Sequence, residues 1–328
     1  TINEHLLSGM LVCNHSYGVY IYSNGEQNVE DWYPGCYLNA SITIDNALYN
    51  NPYLLRVFSA GNAGTDSYSN GLGPGLDKIT AGKTSKNGLI VANANVNVQF
   101  TPFGASITST NLAPSSSQGP TDDGRVKPDI AARGSNVLSC SNEGTTSYGS
   151  ASGTSMAAPS ATGTILLLQE HYNNTFSEYM KSSTVKGLIC HTATDDAENE
   201  TVSAIQYPGP DPFWGWGLFN AELAAQTIIN AESNMAIIEE NTLNNGEIYS
   251  MSVNVSDSEK LMATICWTDR PGPSQYQILN SSTPVLVNDL DLRITDNAGN
   301  EYFPWKLDLN NLPYAIKGDN NVDIIERV

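Results

Sequence analysis

Short apolar runs alternate with helix-like segments through most of the chain, and this alternation constrains the fold more than any other feature. Residues 10–13, 54–59 (LLRVFS) and 89–94 (LIVANA) read as buried strands. Residues 41–49 read as a helix. Residues 156–171, rich in Ala and Leu behind a Ser/Thr-rich start, form the strongest helical segment, and residues 218–229 are again helical. Residues 185–190 are one more short apolar run, read as a strand. Strands alternating with helices predict an α/β fold whose parallel sheet is covered by helices on both faces.

Near Glu232 the pattern changes. Residues 249–255, 261–267, 285–287 and 290–294 are strand-like, separated by turn signals such as Asn245-Gly246 and Pro271-Gly272-Pro273. An all-β sandwich or jelly roll is expected there. The reading is therefore two domains, residues 1–232 and 233–328. Two stretches, residues 62–86 and 108–124, read as long loops, a length uncommon in compact domains unless the loop serves a site or is mobile.

Composition narrows the function. Hydrophobic residues make up 40% of the 328, enough for a sizeable core. Against 34 Asp and Glu stand only 15 Lys and Arg, a formal charge of -19. A nucleic-acid backbone as main partner is disfavoured, because phosphate binding needs a cationic surface, and so is an anionic membrane. No apolar run has membrane-spanning length. The five cysteines (Cys13, Cys36, Cys140, Cys190, Cys266) are odd in number and widely spaced, which fits neither a zinc ribbon nor a dense disulfide framework.

Three segments carry chemistry. In the first, Gly153 to Pro159 (GTSMAAP), Ser155 stands at the start of a long apolar helix. Helix N-termini supply unpaired N–H groups and the positive end of the dipole, both of which favour an oxyanion beside the serine hydroxyl. A plain N-cap role for Thr154 or Ser155 explains this segment equally well. In the second, Phe58 to Asn62 (FSAGN), a strand breaks at Gly-Asn; the Asn62 amide is either an oxyanion donor or a turn residue. In the third, Val12 to Gly18 (VCNHSYG), a strand ends in Ser16-Tyr17-Gly18, which suits β-pairing with an extended peptide.

Together and in this order the three segments resemble the subtilisin-like serine proteases, or subtilases. GTSMAAP stands where that family has GTSMA[TA]P; SAGN matches its oxyanion-asparagine segment and NHSYG its substrate-binding strand. SSQGP (116–120) and GRVKPDI (124–130) look like its SSRGP and GRxKPD stretches, and FWGWG (213–217) like its GYG stretch. ATICWTDRPG (263–272) and LVNDLDLRIT (286–295) resemble the β-sandwich of one branch, the oxidatively stable alkaline proteases. The resemblance implies a nucleophile at Ser155 and an oxyanion donor at Asn62. It implies substrate contacts from Ser16, Tyr17, Gly18 and Thr154, and a pocket for the residue before the scissile bond lined by Ser59, Ala60 and Gly61. Peptide hydrolysis through an acyl-enzyme would follow, on peptide or protein substrates, in a secreted or extracytoplasmic setting.

One part of the pattern is missing. The family's aspartate strand and HGTHVAG-type helix both precede the substrate-binding strand, and neither motif is present here. Four histidines remain. His15 lies inside the substrate-strand motif and His5 lacks the Gly-Thr-His context. His171 is about four turns along the serine helix, roughly 20 Å or more from its start at ~1.5 Å per residue. His191 follows the apolar run 185–190. A serine without a base is a poor nucleophile. The expectation is that the chain is a piece of a larger subtilase, with the catalytic Asp and His upstream and further sandwich strands downstream, and that a missing N-terminal segment or propeptide is a partner. A non-catalytic, peptide-binding homologue is the alternative. No cofactor is needed for the chemistry. Structural calcium is an expectation on Asp289 and Asp291, which alternation puts on one strand face, against a plain acidic surface.

Overall fold

Consecutive residues of the central strands face into two different cores, so the sheet must be covered on both sides. The computed structural model describes residues 9–68, 71–102, 104–195, 207–255 and 260–328, with the main chain alone at Ala105. The strands are β1 (Val12–His15), the small ladder β2 (Tyr22–Ser23) with β3 (Glu26–Gln27), then β4 (Leu55–Ser59), β5 (Leu89–Thr101), β6 (Gly104–Leu112) and β7 (Ile130–Arg133). β1, β4, β5 and β7 run parallel, in that spatial order. A hairpin of β8 (Val137–Cys140) and β9 (Tyr148–Ala151) follows.

The helices are α1 (Asn39–Tyr49), α2 (Thr154–Phe176), α3 (Ser182–His191) and α4 (Ala221–Glu232). Val57, Leu89 and Val91 pack with Ala157, Ala161 and Ile165 of α2, Val185 and Ile189 of α3, and Ile228 of α4. Phe58 and Ile90, one residue along in each strand, pack on the other side with Ile44 and Leu48 of α1. The α/β fold with a helix-flanked parallel sheet is as the alternation predicts.

Three expectations change. Residues 185–190 belong to a helix, α3, not a strand. They are buried all round, and a short apolar run alone does not separate a buried helix from a buried strand. Residues 108–112 are not loop, because β5 outruns its parallel partners and pairs its second half, Ala94 to Thr101, with β6 in an antiparallel ladder. Residues 249–255 form no regular strand and are exposed, and the expected strands at 285–287 and 290–294 are likewise absent apart from Ile294 in β11 (Ile294–Thr295).

The C-terminal region is β-rich, in three two-stranded antiparallel ladders. β10 (Thr264–Cys266) pairs β15 (Ile325–Arg327), β11 (Ile294–Thr295) pairs β12 (Glu301–Tyr302), and β13 (Trp305–Leu307) pairs β14 (Ala315–Lys317). It docks on the α/β unit through Leu307, Ile324 and Ile325 against Val126, Cys190 and Trp216. A fully buried ion pair, Lys86 Nζ to Asp269 at 2.6 Å, crosses the same contact. Asp269 also accepts the Val287 and Asn288 N–H groups, so the pair's remaining lone pairs are satisfied.

Candidate active site

β1 and β4 pair in parallel from Val12 opposite Leu55 to His15 opposite Phe58, so the chain leaves both at the same end of the sheet. Ser16–Gly18 and Ser59–Asn62 therefore emerge side by side. Open α/β sheets place ligands at the C-terminal ends of their parallel strands. Here Ser16–Gly18, Ser59, Gly61 and Asn62, with Thr154 and Ser155 from the start of α2, line one cavity of about 130 Å³, while Ala60 is buried and outside its lining.

The asparagine is held in one orientation. Its Oδ1 accepts both the Thr154 N–H, at 3.1 Å, and the Thr154 hydroxyl, at 3.0 Å. That hydroxyl in turn accepts the Gly61 N–H at 3.1 Å. The Ser117 hydroxyl accepts the Ala63 N–H at 3.0 Å, and the Ser117 N–H donates to Gly61 O at 2.9 Å. Gly61 has φ 118, a backbone that side chains disfavour, and a Cβ there would lie 2.7 Å from Ser117 Oγ. With Oδ1 committed, the exposed Asn62 amide is left its Nδ2 donors.

Ser155 is half-buried in the first turn of α2. Gly153 O accepts the Met156 and Ala157 N–H groups at 3.0 and 3.2 Å. No hydrogen bond engages the Ser155 N–H among the described residues, as is usual in a first helical turn. Pro159, the sixth residue of α2, has no N–H to give the Ser155 carbonyl four residues back. The Ser16 hydroxyl donates to that carbonyl at 3.0 Å instead. Ser16, Tyr17 and Gly18 themselves lie beyond the end of β1, outside any ladder. The cleft can thus accept an extended chain on one wall and present two N–H donors, from Asn62 and Ser155, beside one hydroxyl.

The sequence profile of the subtilase family matches residues 1–217. The chain belongs to the subtilase family. A subtilisin-like protease of Arabidopsis thaliana is 31% identical over 219 residues, which is 62% of this chain and 27% of that protein. The C5a peptidase of Streptococcus pyogenes is 38% identical over 114 residues, 33% of this chain and 10% of the peptidase. This subtilase thus spans about a quarter or less of the length of these curated relatives. Among solved structures, the protease domain of PatA aligns over 70% of this chain and 64% of its own, at 19% identity and a TM-score of 0.45.

Two of the subtilase's three described histidines are engaged elsewhere, the third lies away from the cleft, and His5 lies outside the described residues. Arg56 Nε donates to His15 Nε2 at 3.0 Å, which puts the ring proton on Nδ1, where it reaches Tyr17 Oη at 2.7 Å. His15 also stacks on Phe58. Burial, then Arg56, hold it down to about 4. His191 bonds Thr264 Oγ1 at 2.9 Å, and burial, then Arg327, hold it down to about 4 as well. His171 is in α2, away from the cleft lining.

Asp289 and Asp291 do not stand alone. Arg293 Nη2 is 3.1 Å from Asp291 Oδ1 and also bonds Asp319. Burial, then Asp291 and Asp319, raise the Asp289 carboxyl, while the hydrogen bond with Asp319 leads in raising Asp291. No cluster of three or more His, Cys, Asp or Glu side chains suited to a metal occurs among the described residues. No helix among them is long and apolar enough to cross a membrane.

Sequence reasoning passed over the lysines of the cleft. Lys78 and Lys83 both line it, from within residues 62–86, whose unusual length was the one signal pointing there.

Proposed function

We propose that this subtilase is the nucleophile-bearing part of a serine endopeptidase. In this reading Ser155 Oγ attacks the scissile carbonyl carbon and its proton passes to a histidine base. The carbonyl oxygen, now an oxyanion, takes hydrogen bonds from Asn62 Nδ2 and the Ser155 N–H. Collapse of the adduct expels the amine, which carries the proton away, and water then releases the acyl group from Ser155. The observation that carries the reading is the lock on Asn62: both hydrogen bonds to Oδ1 come from Thr154, next to the serine, so Nδ2 is aimed before any substrate arrives. Ser16, Tyr17 and Gly18 would pair with the substrate main chain. Ser59, Ala60 and Gly61 would flank the side chain before the scissile bond.

The base and its aspartate are assigned to chain outside these 328 residues, since His15 and His191 are both engaged elsewhere. Residues 1–328 alone are then expected to show no turnover. The test is hydrolysis of a peptide library by the full-length protein: activity abolished in Ser155→Ala supports the reading, and activity that survives the change overturns it. The same engagement of the histidines favours a second reading, a peptide-binding homologue without catalysis, which full-length protein that binds but never cleaves would support.

Four finer assignments belong to the same proposal: residues 233–328 as a β-sandwich of the oxidatively stable alkaline protease type, an extracytoplasmic location, association with an N-terminal segment or propeptide, and structural calcium at Asp289 and Asp291. The calcium assignment predicts that a chelator lowers the melting temperature of wild type and not of an Asp289→Asn, Asp291→Asn double variant.

A further inference from the structure

A cation with no carboxylate partner among the described residues stands inside the cleft. Lys83 belongs to the short 3-10 turn Ala81–Thr84 and is only 5% exposed. Its Nζ reaches one acceptor among the described residues, Ala60 O, at 3.4 Å. Two glycines locate it. A Cβ on Gly18 would fall 2.4 Å from Lys83 Nζ, and one on Gly61 would fall 3.3 Å from it. The ammonium therefore lies between the two walls of the cleft, 16–18 and 59–61, in room that side chains on those glycines would take.

The other charged groups of the lining do not neutralise it. Lys78 Nζ donates to Gly64 O at 2.8 Å and Asp66 O at 2.9 Å; burial lowers the Lys78 ammonium, and the nearby Asp66 carboxylate partly offsets this. With Asp66 matched to Lys78, Lys83 is the surplus charge. Leaving an ammonium buried and unpaired is costly, and burial holds Lys83 down to about 8. In a chain with more than twice as many acids as bases, no carboxylate among the described residues forms an ion pair with this one. An incoming anion would recover that cost as a desolvated, charge-assisted hydrogen bond.

We propose that Lys83 selects substrates with Asp or Glu immediately before the scissile bond, the carboxylate docking on Nζ between Gly18 and Gly61. This rests on the peptidase reading of Ser155. A formal net charge of -19 would slow the approach of acidic proteins, so the selectivity belongs to the residue in the pocket and not to the substrate as a whole.

Peptides identical except for Glu, Gln or Leu at that position separate the two claims. In full-length Ser155→Ala protein, which cannot cleave, fluorescence polarisation is expected to show the Glu peptide binding about tenfold or more tighter than its Gln isostere. In active full-length protein the same order is expected in kcat/KM, with the Glu-to-Leu ratio falling about tenfold or more in Lys83→Met. Equal binding of Glu and Gln peptides, or a preference for Leu, overturns the assignment to Lys83 whatever the turnover. Glu-selective binding with no cleavage by wild type supports it and removes the peptidase reading instead. The comparison of Glu with Gln uses no change at Lys83, so it holds even where Lys83→Met does not fold.

Discussion

Ser16 donates its hydroxyl to the main-chain carbonyl of Ser155, and does so because Pro159 cannot. The proline removes a helical hydrogen bond at the first turn of α2, and the wall of the cleft supplies the replacement. The position of the cleft wall at Ser16 and that of Ser155 are thereby coupled through one acceptor. Ser16→Ala is expected to cost about 1 kcal/mol of stability in denaturant unfolding, from the orphaned carbonyl. In a Pro159→Ala background, where an N–H becomes available, the cost is expected to shrink by about 0.5 kcal/mol or more. Strict additivity of the two changes would contradict the coupling.

The lock on Asn62 predicts a graded series. In the peptidase reading Asn62→Ala removes one of the two proposed oxyanion donors and is expected to lower kcat about 100-fold or more with little change in KM. Thr154→Val keeps Asn62 but takes away one of its two tethers and the acceptor of the Gly61 N–H. Its kcat should fall about tenfold, and Thr154→Ser should restore most of it. Equal kcat for Thr154→Val and wild type would show that Asn62 needs no lock.

The C-terminal region is held by a buried charge pair, and breaking it on one side leaves the other charge stranded. Lys86→Met or Asp269→Asn, each alone, is expected to cost about 3–5 kcal/mol. The cost comes from Lys86 or Asp269 losing a partner at 2.6 Å in a fully buried setting. Equilibrium unfolding measures it. A loss below about 1 kcal/mol, the range of exposed pairs, would mean the contact is wet.

Asp77 and Asp122 predict an alkaline weakness. Their carboxylates converge on Gly35, where a Cβ would lie 2.1 and 2.2 Å from one oxygen of each. All four oxygens are buried without a well-formed hydrogen bond. Burial pushes Asp77 up to about 7. Burial, then Asp77 itself, push Asp122 up to about 9. The folded state therefore holds protons that the unfolded chain releases near pH ~4. The stability tied to those protons is full below that pH and is lost as pH rises through 7 and then 9. Asp122→Asn should gain most over wild type near pH 8.5 and least near pH 5, by urea unfolding at both. A gain independent of pH would show that the pair does not titrate in the fold.

The parts legible in the sequence are those written as local pattern. Strand burial on both faces shows as unbroken apolar runs such as LIVA (89–92), and the serine helix shows as Ala and Leu behind GTS. The positions of Asn62 and Ser155 in one cleft follow from parallel pairing of β1 with β4 and from the start of α2. What stayed hidden depends on partners far away in sequence. Residues 185–190 hide their helical state because every face is buried, including Lys186 against Asp129 at 2.9 Å. The strand at 108–112 exists because β5 overruns its neighbours. Lys83 looks like any loop lysine until Gly18, 65 positions earlier in the chain, is folded against it.

The central claim is that Ser155 is a nucleophile in a formed oxyanion site, and active-site labelling tests it most directly. Full-length protein treated with a fluorophosphonate probe is expected to be modified at Ser155, as located by peptide mass spectrometry. The signal should be lost in Ser155→Ala and strongly slowed in Asn62→Ala. Full-length, folded protein that leaves Ser155 unmodified, or that is modified equally well without Asn62, would contradict the account.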